Sequence, residues 1–358
     1  MQKNHNILLT CQSGLEGLVR REALKLGLEK STGQDRIVEG IGSIDTMMRL
    51  CMGSRFANRV YLNLGSSIVE DFDELYTLIA NIHWKEYISP DLHLIIDGSS
   101  ARSTLSSVPT IQSIGQKAIL DTYGKMPGKP GNQEELHVLI LIIDNTARIL
   151  LDVTGEALHK RGYRTEQGEA PIKETLAAGL VAMSAWRYKE PLWDPFCGSG
   201  TIAIEAALMA RNIAPGLSRR FRFMDLPFYD APLYENIKED LQESEFVGKY
   251  SILATDRDPE IIAIAKRNAL RAGVRENIHF ECEDFLDSSD SAGTIVTNPP
   301  YGNRLKDENL GELYTKLIHT VQENGGGFIT SFAVDVRHGL ANKKLLNGNE
   351  ECRFWYKK

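Results

Sequence analysis

Cysteine is scarce in this chain and shows no pairing pattern. The five residues, Cys11, Cys51, Cys197, Cys282 and Cys352, are odd in number and nowhere spaced as CxxC. That argues against a disulfide framework or a zinc module, so no metal is expected, and it matches a reducing cytoplasm. Long apolar runs are missing too. Nothing approaches the ~20 residues of a membrane span. The amino-terminal apolar stretch covers only residues 7–9, which suits a strand and not a signal peptide. Positive charge is not in excess, since the formal net charge is −7. A surface that attracts nucleic acid everywhere is thereby excluded. A local basic face is not, because phosphate contacts depend on where the charges lie. Two nucleotide signatures are also lacking: the G-x-G-x-x-G fingerprint of a dinucleotide site and a P-loop lysine.

What remains has the composition of a globular protein, and at 358 residues it exceeds a single core and implies two or three domains. The first half mixes short strands and helices. Residues 7–10 read as a strand, and a helix with apolar positions Leu15, Leu18, Val19, Ala23 and Leu26 stops at Gly27. Strands are expected at 60–64 and 92–96, helices at 72–82 and 111–123, and a Gly/Pro loop at 124–131. The near-continuous apolar run 136–144 reads as a buried strand, with 148–153 as its hairpin partner.

A second regime begins near residue 165. Pro171 suits the first turn of a helix reaching about Tyr188. Strands at 192–194, 251–255, 277–282, 294–297 and 327–331 then alternate with helices at 201–211, 259–272 and 309–323. That rhythm implies a parallel, doubly wound, Rossmann-like sheet. Segment 212–250 interrupts it as an insertion or a pair of extra helices over the sheet, and Asn347-Gly-Asn349 marks a closing hairpin.

Two stretches carry the chemistry. Asp194-Pro-Phe-Cys-Gly-Ser-Gly-Thr201 is a glycine turn between a strand and a helix. Gly198 and Gly200 remove side chains, so backbone N–H groups can approach a cofactor's amino-acid moiety, and the helix opening at Thr201 adds a favourable dipole. Alone, such a turn also serves as a plain connection. The next strand ends at Asp256, which is placed to hold two ribose hydroxyls, while Asp258 before Pro259 caps the helix. Asp284 can accept from an adenine amino group and Phe285 can pack on the ring, although Asp284 equally suits a solvated loop. With dinucleotide and P-loop signatures absent, S-adenosylmethionine fits best.

The second stretch is Thr297-Asn-Pro-Pro-Tyr-Gly302. An amine on a heteroaromatic ring is a poor nucleophile because its lone pair is shared with the ring. The side-chain oxygen of Asn298 and the carbonyl of Pro299 can each accept one N–H and favour a more tetrahedral nitrogen. The prolines hold these acceptors in advance, and Tyr301 can stack on the base. Asn-Pro and Pro-Pro are also common turn dipeptides. Their place at the end of the fourth strand of a cofactor-type sheet favours the catalytic reading.

These residues resemble class I methyltransferases acting on amino groups. More specifically, residues 152–164, 168–171, 194–201, 298–302 and 345–354 resemble the bacterial 23S rRNA guanine-N2 methyltransferase family, often labelled N6-adenine-specific DNA methylase. The resemblance implies an N-terminal α+β ferredoxin-like segment at 1–44, a THUMP RNA-binding domain at 45–155, and a class I methyltransferase domain at 156–358. It implies cofactor contacts at Asp194, Phe196, Gly198, Gly200, Asp256 and Asp284, with Ala170 and Pro171 covering the cofactor. It places amino-group recognition at Asn298, Pro299 and Tyr301. Some members fuse a second methyltransferase domain, so a chain ending at Lys358 is expected to make one modification.

Ribosomal RNA is then the expected partner, and a basic set is expected to face it. Arg55 and Arg59 flank an aromatic. Arg102, Lys117, Lys125 and Lys129 lie in segment 101–133, where Asp121 is the sole acidic residue. His159-Lys-Arg161 and Arg164 sit at the domain junction, and Arg219-Arg-Phe-Arg222 in the insertion. Phosphate contacts there would position RNA while the Asn298 loop selects the base. Three rival functions use the same features: adenine-N6 DNA methylation, glutamine-N5 protein methylation, and a non-catalytic RNA-binding assembly factor.

Overall fold

The computed structural model describes residues 3–124, 134–166, 172–288, 293–301, 310–334 and 339–358. The N-terminal half runs β1 (His5–Cys11), α1 (Glu16–Lys25), β2 (Glu29–Gln34), β3 (Ile37–Gly42), α2 (Ile44–Gly53), β4 (Ala57–Ile68), α3 (Phe72–Ala80), β5 (His93–Ala101), α4 (Val108–Tyr123), β6 (Glu135–Ile143) and β7 (Thr146–Asp152). Its strands form one sheet in the order β2-β3-β1-β4-β7-β6-β5. The expected junction near residue 44 falls at the start of α2, inside this continuous sheet. Strand β6, expected as a buried strand, is buried completely on one face only. Leu136, Val138, Ile140 and Ile142 are fully buried, whereas Leu139, Leu141 and Ile143 are only partly buried on the other face. The helices cover one face only, so the apolar run alternates in burial although it does not alternate in polarity.

The C-terminal half runs α5 (Glu174–Met183), β8 (Leu192–Asp194), α6 (Thr201–Ala210), α7 (Ala231–Glu243), β9 (Ile252–Asp256), α8 (Pro259–Arg271), β10 (Ile278–Cys282), β11 (Thr294–Thr297), α9 (Leu310–Asn324), β12 (Gly326–Thr330), β13 (Ala341–Asn347) and β14 (Glu350–Tyr356). The order is β10-β9-β8-β11-β12-β14-β13. Five parallel strands carry an antiparallel hairpin at one edge. From β8 the winding runs outward through β9 and β10, and from β11 it runs the other way through β12. The crevice at the carboxyl ends of β8 and β11 is therefore the topological switch point, where such sheets bind ligands.

Helix α6 is buried along its whole length, which makes it the central packing element of this half. Helix α5 ends at Met183, short of the expected Tyr188. Ala185 adopts a left-handed φ of 57°, and the Ser184 hydroxyl bonds back to the Val181 carbonyl. Asp258 caps α8 as expected, accepting from the N–H groups of Glu260 and Ile261.

The two halves pack directly. The Gly216 N–H donates to the Met52 carbonyl at 2.8 Å, and a Cβ at Gly216 would lie 2.7 Å from Met52 Cα. Arg49 of α2 meets Asp240 of α7 at 2.6 Å. Gly179 of α5 receives Leu15, whose Cδ2 sits 2.8 Å from where a Cβ would stand. Segment 212–250, expected to be an insertion, thus fills the seam between the halves.

Candidate active site

Strand β8 delivers Asp194 to the switch point with no exposure. One carboxylate oxygen accepts from the Thr297 hydroxyl at 2.7 Å, which ties β8 to the end of β11. The other oxygen, Oδ2, is buried and has no partner among the described residues. Burial pushes the Asp194 carboxyl up to about 7, the Thr297 hydroxyl and the Phe196 N–H pull it back, and the Asp256 charge adds to the rise. A buried acceptor without a donor costs on the order of 1–3 kcal/mol, so its presence at a ligand crevice is informative.

The glycine turn follows. Gly198 and Gly200 have φ of 52° and 84°, the left-handed region that side chains disfavour. A Cβ on Gly198 would meet nothing within 4 Å, so the missing side chain leaves room beside the turn. The turn is braced from outside. Asp256 accepts from the Gly198 N–H at 3.0 Å through one oxygen and from the Asp258 N–H at 3.1 Å through the other. Burial lifts the Asp256 carboxyl above its usual range, and those two N–H groups hold it down. Asn268 of α8 donates to the Ser199 carbonyl at 3.0 Å. Each Asp256 oxygen keeps a further lone pair for a hydroxyl donor, so bracing the turn does not preclude contact with a ribose. Asp284 accepts from the Leu286 N–H through Oδ1 at 2.9 Å. Thr201 opens α6, buried, with its hydroxyl 3.4 Å from Arg164 Nη1.

Phe285 departs from its expected place on a bound ring. It is 2% exposed, enclosed by Trp193 and Phe196 with centroids at 5.6 and 5.1 Å, and Lys316 Nζ lies 5.1 Å from its centroid. Phe196 is the partly exposed member of this cluster. Ala170 and Pro171 lie outside the described residues.

The catalytic loop begins where β11 ends. Asn298 Oδ1 is buried and has no partner among the described residues. With Asp194 Oδ2 it is a second such acceptor at the carboxyl ends of β8 and β11, the two strands being joined through the Thr297–Asp194 hydrogen bond. The Tyr314 hydroxyl donates to the Pro300 carbonyl at 3.1 Å and meets the Thr330 hydroxyl at 2.6 Å. Tyr301 differs from the stacking ring expected of it. It is 3% exposed, and its hydroxyl accepts from Asn347 Nδ2 at 2.8 Å. A ring so enclosed anchors the loop and has little face to offer a base.

Most of the basic residues expected to face RNA are committed elsewhere. Arg55 is enclosed at the seam and donates to the Ile213 carbonyl at 2.7 Å and to Asn212 Oδ1 at 3.2 Å. Arg59 pairs with Asp152 and the Gly155 carbonyl. Arg164 pairs with Glu174 at 3.1 Å. Arg102 is exposed but bidentate to Asp144, at 2.8 and 2.9 Å. Lys117 is exposed, 5.6 Å from the Tyr76 ring. Lys125 and Lys129 lie outside the described residues. A cleft of about 730 Å³ opens between the linker after β7, the insertion and the end of α8, lined by Lys160, Arg161, Arg219, Arg220, Arg222 and Arg271 together with Glu134 and Glu156. Arg219 donates to the Ala157 and Glu156 carbonyls and forms no carboxylate ion pair among the described residues.

A buried charge network at the seam escaped the sequence reading. Arg161 meets Glu205 at 3.5 Å, the Tyr163 hydroxyl donates to the same carboxylate at 3.0 Å, and Arg161 also donates to the Leu158 and Arg55 carbonyls. One signal was available: Glu205 sits alone in the otherwise uncharged run of α6, and a buried charge must be paired. Among the described residues there is no group of three metal-ligating side chains, and no helix is long and apolar enough to cross a membrane.

Residues 161–338 match the family described as RMKL-like, methyltransferase domain; residues 6–61 match the RlmL ferredoxin-like domain and residues 69–152 the THUMP domain. YpsC of Bacillus subtilis, named as a candidate RNA methyltransferase, is 37% identical over 87% of this chain and 82% of its own. The chain belongs to the THUMP-containing RMKL-like methyltransferase family. Ribosomal RNA large subunit methyltransferase K/L of Methylococcus capsulatus is 33% identical over 99% of this chain, which spans about half, 51%, of that longer protein. The structure of SMU.472, a candidate methyltransferase complexed with SAH, superposes with a TM-score of 0.86 at 29% identity, covering 99% of this chain and 98% of the other. The cofactor of the family is S-adenosylmethionine. The crevice fits it: an Asp194 oxygen without a partner among the described residues suits an ammonium, and the open side of Gly198 leaves room for the amino-acid moiety.

Proposed function

We propose that this methyltransferase modifies the exocyclic N2 amino group of a guanine in large-subunit ribosomal RNA. The observation that carries the reading is Asn298 Oδ1, buried at the end of β11 and without a partner among the described residues. A primary amine brings two N–H donors. Asn298 Oδ1 takes one and the Pro299 carbonyl the other, which frees the nitrogen lone pair from the ring. Because both prolines preset φ and Tyr314 and Asn347 pin the loop, these acceptors need no reorganisation when the amine arrives. The cofactor supplies an electrophilic methyl group on a sulfonium, so orientation matters more than base strength. Asp194, Gly198, Asp256 and Asp284 would hold that cofactor.

The THUMP match and the K/L relative support RNA as substrate. For phosphate contacts, the cleft around Arg219 replaces the enclosed Arg55 and Arg164. It lies at the far end of the ten-residue α6 from the glycine turn, about 15 Å away along the helix axis. An RNA held there by its backbone would still reach the catalytic loop with a flipped base. The adenine-N6 reading keeps one specific support, a related solved structure from Listeria monocytogenes described as a predicted N6-adenine-specific DNA methylase, 32% identical with a TM-score of 0.87. Incubation with labelled S-adenosylmethionine and, in parallel, rRNA, DNA or protein separates these readings. Label is expected in RNA alone; label in DNA or protein would overturn the assignment.

A further inference from the structure

The catalytic loop is held at its far end by the C-terminal hairpin, and the hairpin is held by the N-terminal half. Tyr301 is the last described residue of the loop. Its hydroxyl accepts from Asn347 Nδ2 at 2.8 Å, and the Cys352 thiol approaches it at 3.8 Å. Asn347 ends β13, and Cys352 lies on β14 opposite Leu345. The residue before Asn347 turns the other way. The Leu346 carbonyl accepts from Gln12 Nε2, and Gln12 is a buried residue of the turn that follows β1.

That turn is clamped. Gly14 has a φ of 90°, and a Cβ there would lie 2.6 Å from Leu345 Cδ2 and 2.9 Å from the Lys344 carbonyl. The next residue, Leu15, packs into Gly179 of α5. The β1 turn is thus wedged between the hairpin and α5. Adjacent residues, Leu346 and Asn347, carry the two contacts that join the N-terminal half to the catalytic loop. Within the sheet the hairpin is attached only through β14 to β12, because β13 is the edge strand. Its orientation therefore depends on what grips it from outside the sheet.

The prolines stiffen the loop but do not set where it points. Among the contacts of the described residues, two hydrogen bonds bear on its direction: Tyr314 on the Pro300 carbonyl and Asn347 on the Tyr301 hydroxyl. The first comes from α9, within the methyltransferase half. The second comes from the element that the N-terminal half grips.

We propose that Asn347 is a positioning residue for the catalytic loop, and that the Gln12–Leu346 contact makes the pose of that loop depend on the docked N-terminal half. The proposal rests on the reading that the loop receives the substrate amine. Through it, a nucleic acid that engages the N-terminal half acts on the loop that methylates it.

The test uses the full chain saturated with SAH. Amide hydrogen exchange is followed at Asn298 and Tyr301 in wild type, Asn347→Leu, Tyr301→Phe, the double variant and Gln12→Ala. Losing a buried hydrogen bond raises exchange at these amides about five- to tenfold in each single loop variant. The double variant adds nothing beyond the larger single effect, because both single variants remove the Asn347–Tyr301 hydrogen bond. Asn347→Asp keeps a partner for the phenol and restores near wild-type exchange. Gln12→Ala loosens both β13 and the loop, while SAH affinity, measured by calorimetry, is unchanged. Where Asn347→Leu fails to fold, Tyr301→Phe alone reads the same contact. Unchanged loop exchange in both loop variants, or additive effects in the double variant, would overturn the positioning role. A Gln12→Ala protein with wild-type exchange would overturn the coupling. None of these readouts requires the RNA substrate, so failure of the guanine assignment is visible separately, as absent methyl transfer with the exchange pattern intact.

Discussion

Lowering the pH through the range of Asp194 is expected to weaken cofactor binding, and the structure sets the size of the effect. Burial holds this carboxyl at about 7, against an ordinary value of 3.8. The sign follows from linkage. The folded protein keeps the proton to higher pH than the unfolded chain does, so ionising Asp194 costs stability as pH rises from about 4 to about 7. The total is on the order of 4 kcal/mol in the cofactor-free protein. A cofactor ammonium beside Oδ2 reverses that penalty, because it favours the charged form. Binding therefore draws on the ionised fraction, which is about one half at pH 7 and a few per cent at pH 5.5. Affinity should fall on the order of tenfold across that interval, which lies below the range where an α-amino group loses its own proton. Asp194→Asn keeps the shape and can still meet the Thr297 hydroxyl, yet it removes the charge. It should bind on the order of tenfold or more weakly at pH 7 and lose the pH dependence. Titration calorimetry with S-adenosylmethionine at pH 5.5 and 7 reads both. A wild-type affinity that does not change over this interval, or a slope that survives in Asp194→Asn, would refute the pairing of Asp194 with the cofactor.

Three further outcomes are expected. Asn298→Ala should retain SAH affinity and lose methyl transfer by about a hundredfold or more, because an acceptor pre-aimed at the amine is gone; single-turnover transfer of labelled methyl checks this. Arg219→Ala should weaken binding to large-subunit rRNA and lower the slope of log affinity against log salt by about one, with SAH binding unchanged. Glu205→Gln should lower thermal stability by about 3 kcal/mol or more, because it leaves Arg161 buried without its carboxylate; denaturant melts of the full chain measure it.

The methyltransferase half was largely legible because each of its signals is local. Gly198, Gly200 and Asp258 announce their backbone geometry within a few residues, and α8, after β9, buries one face at the period its sequence carries. Strands β2 and β3 were not legible. The first reads Glu-Lys-Ser-Thr-Gly-Gln and buries only Ser31, so the edge of the sheet shows no apolar alternation. Nor could spacing decide which of Phe196 and Phe285 faces the crevice, since both follow strand ends and only packing against Trp193 and Lys316 separates them. The arginines misled for a related reason. A basic residue in sequence shows its charge but not its partner, and Arg55, Arg59 and Arg164 find theirs across the seam or along the linker. The anchoring of Tyr301 by Asn347, 46 residues away, likewise exists only once the hairpin closes on the sheet.

The most direct test of the account is nucleoside mass spectrometry of large-subunit rRNA taken from cells lacking this protein, before and after incubation with the purified chain and S-adenosylmethionine. N2-methylguanine is expected to rise with wild-type protein and not to rise with Asn298→Ala. A rise in methylated adenine instead, or equal N2-methylguanine from the two proteins, would contradict it.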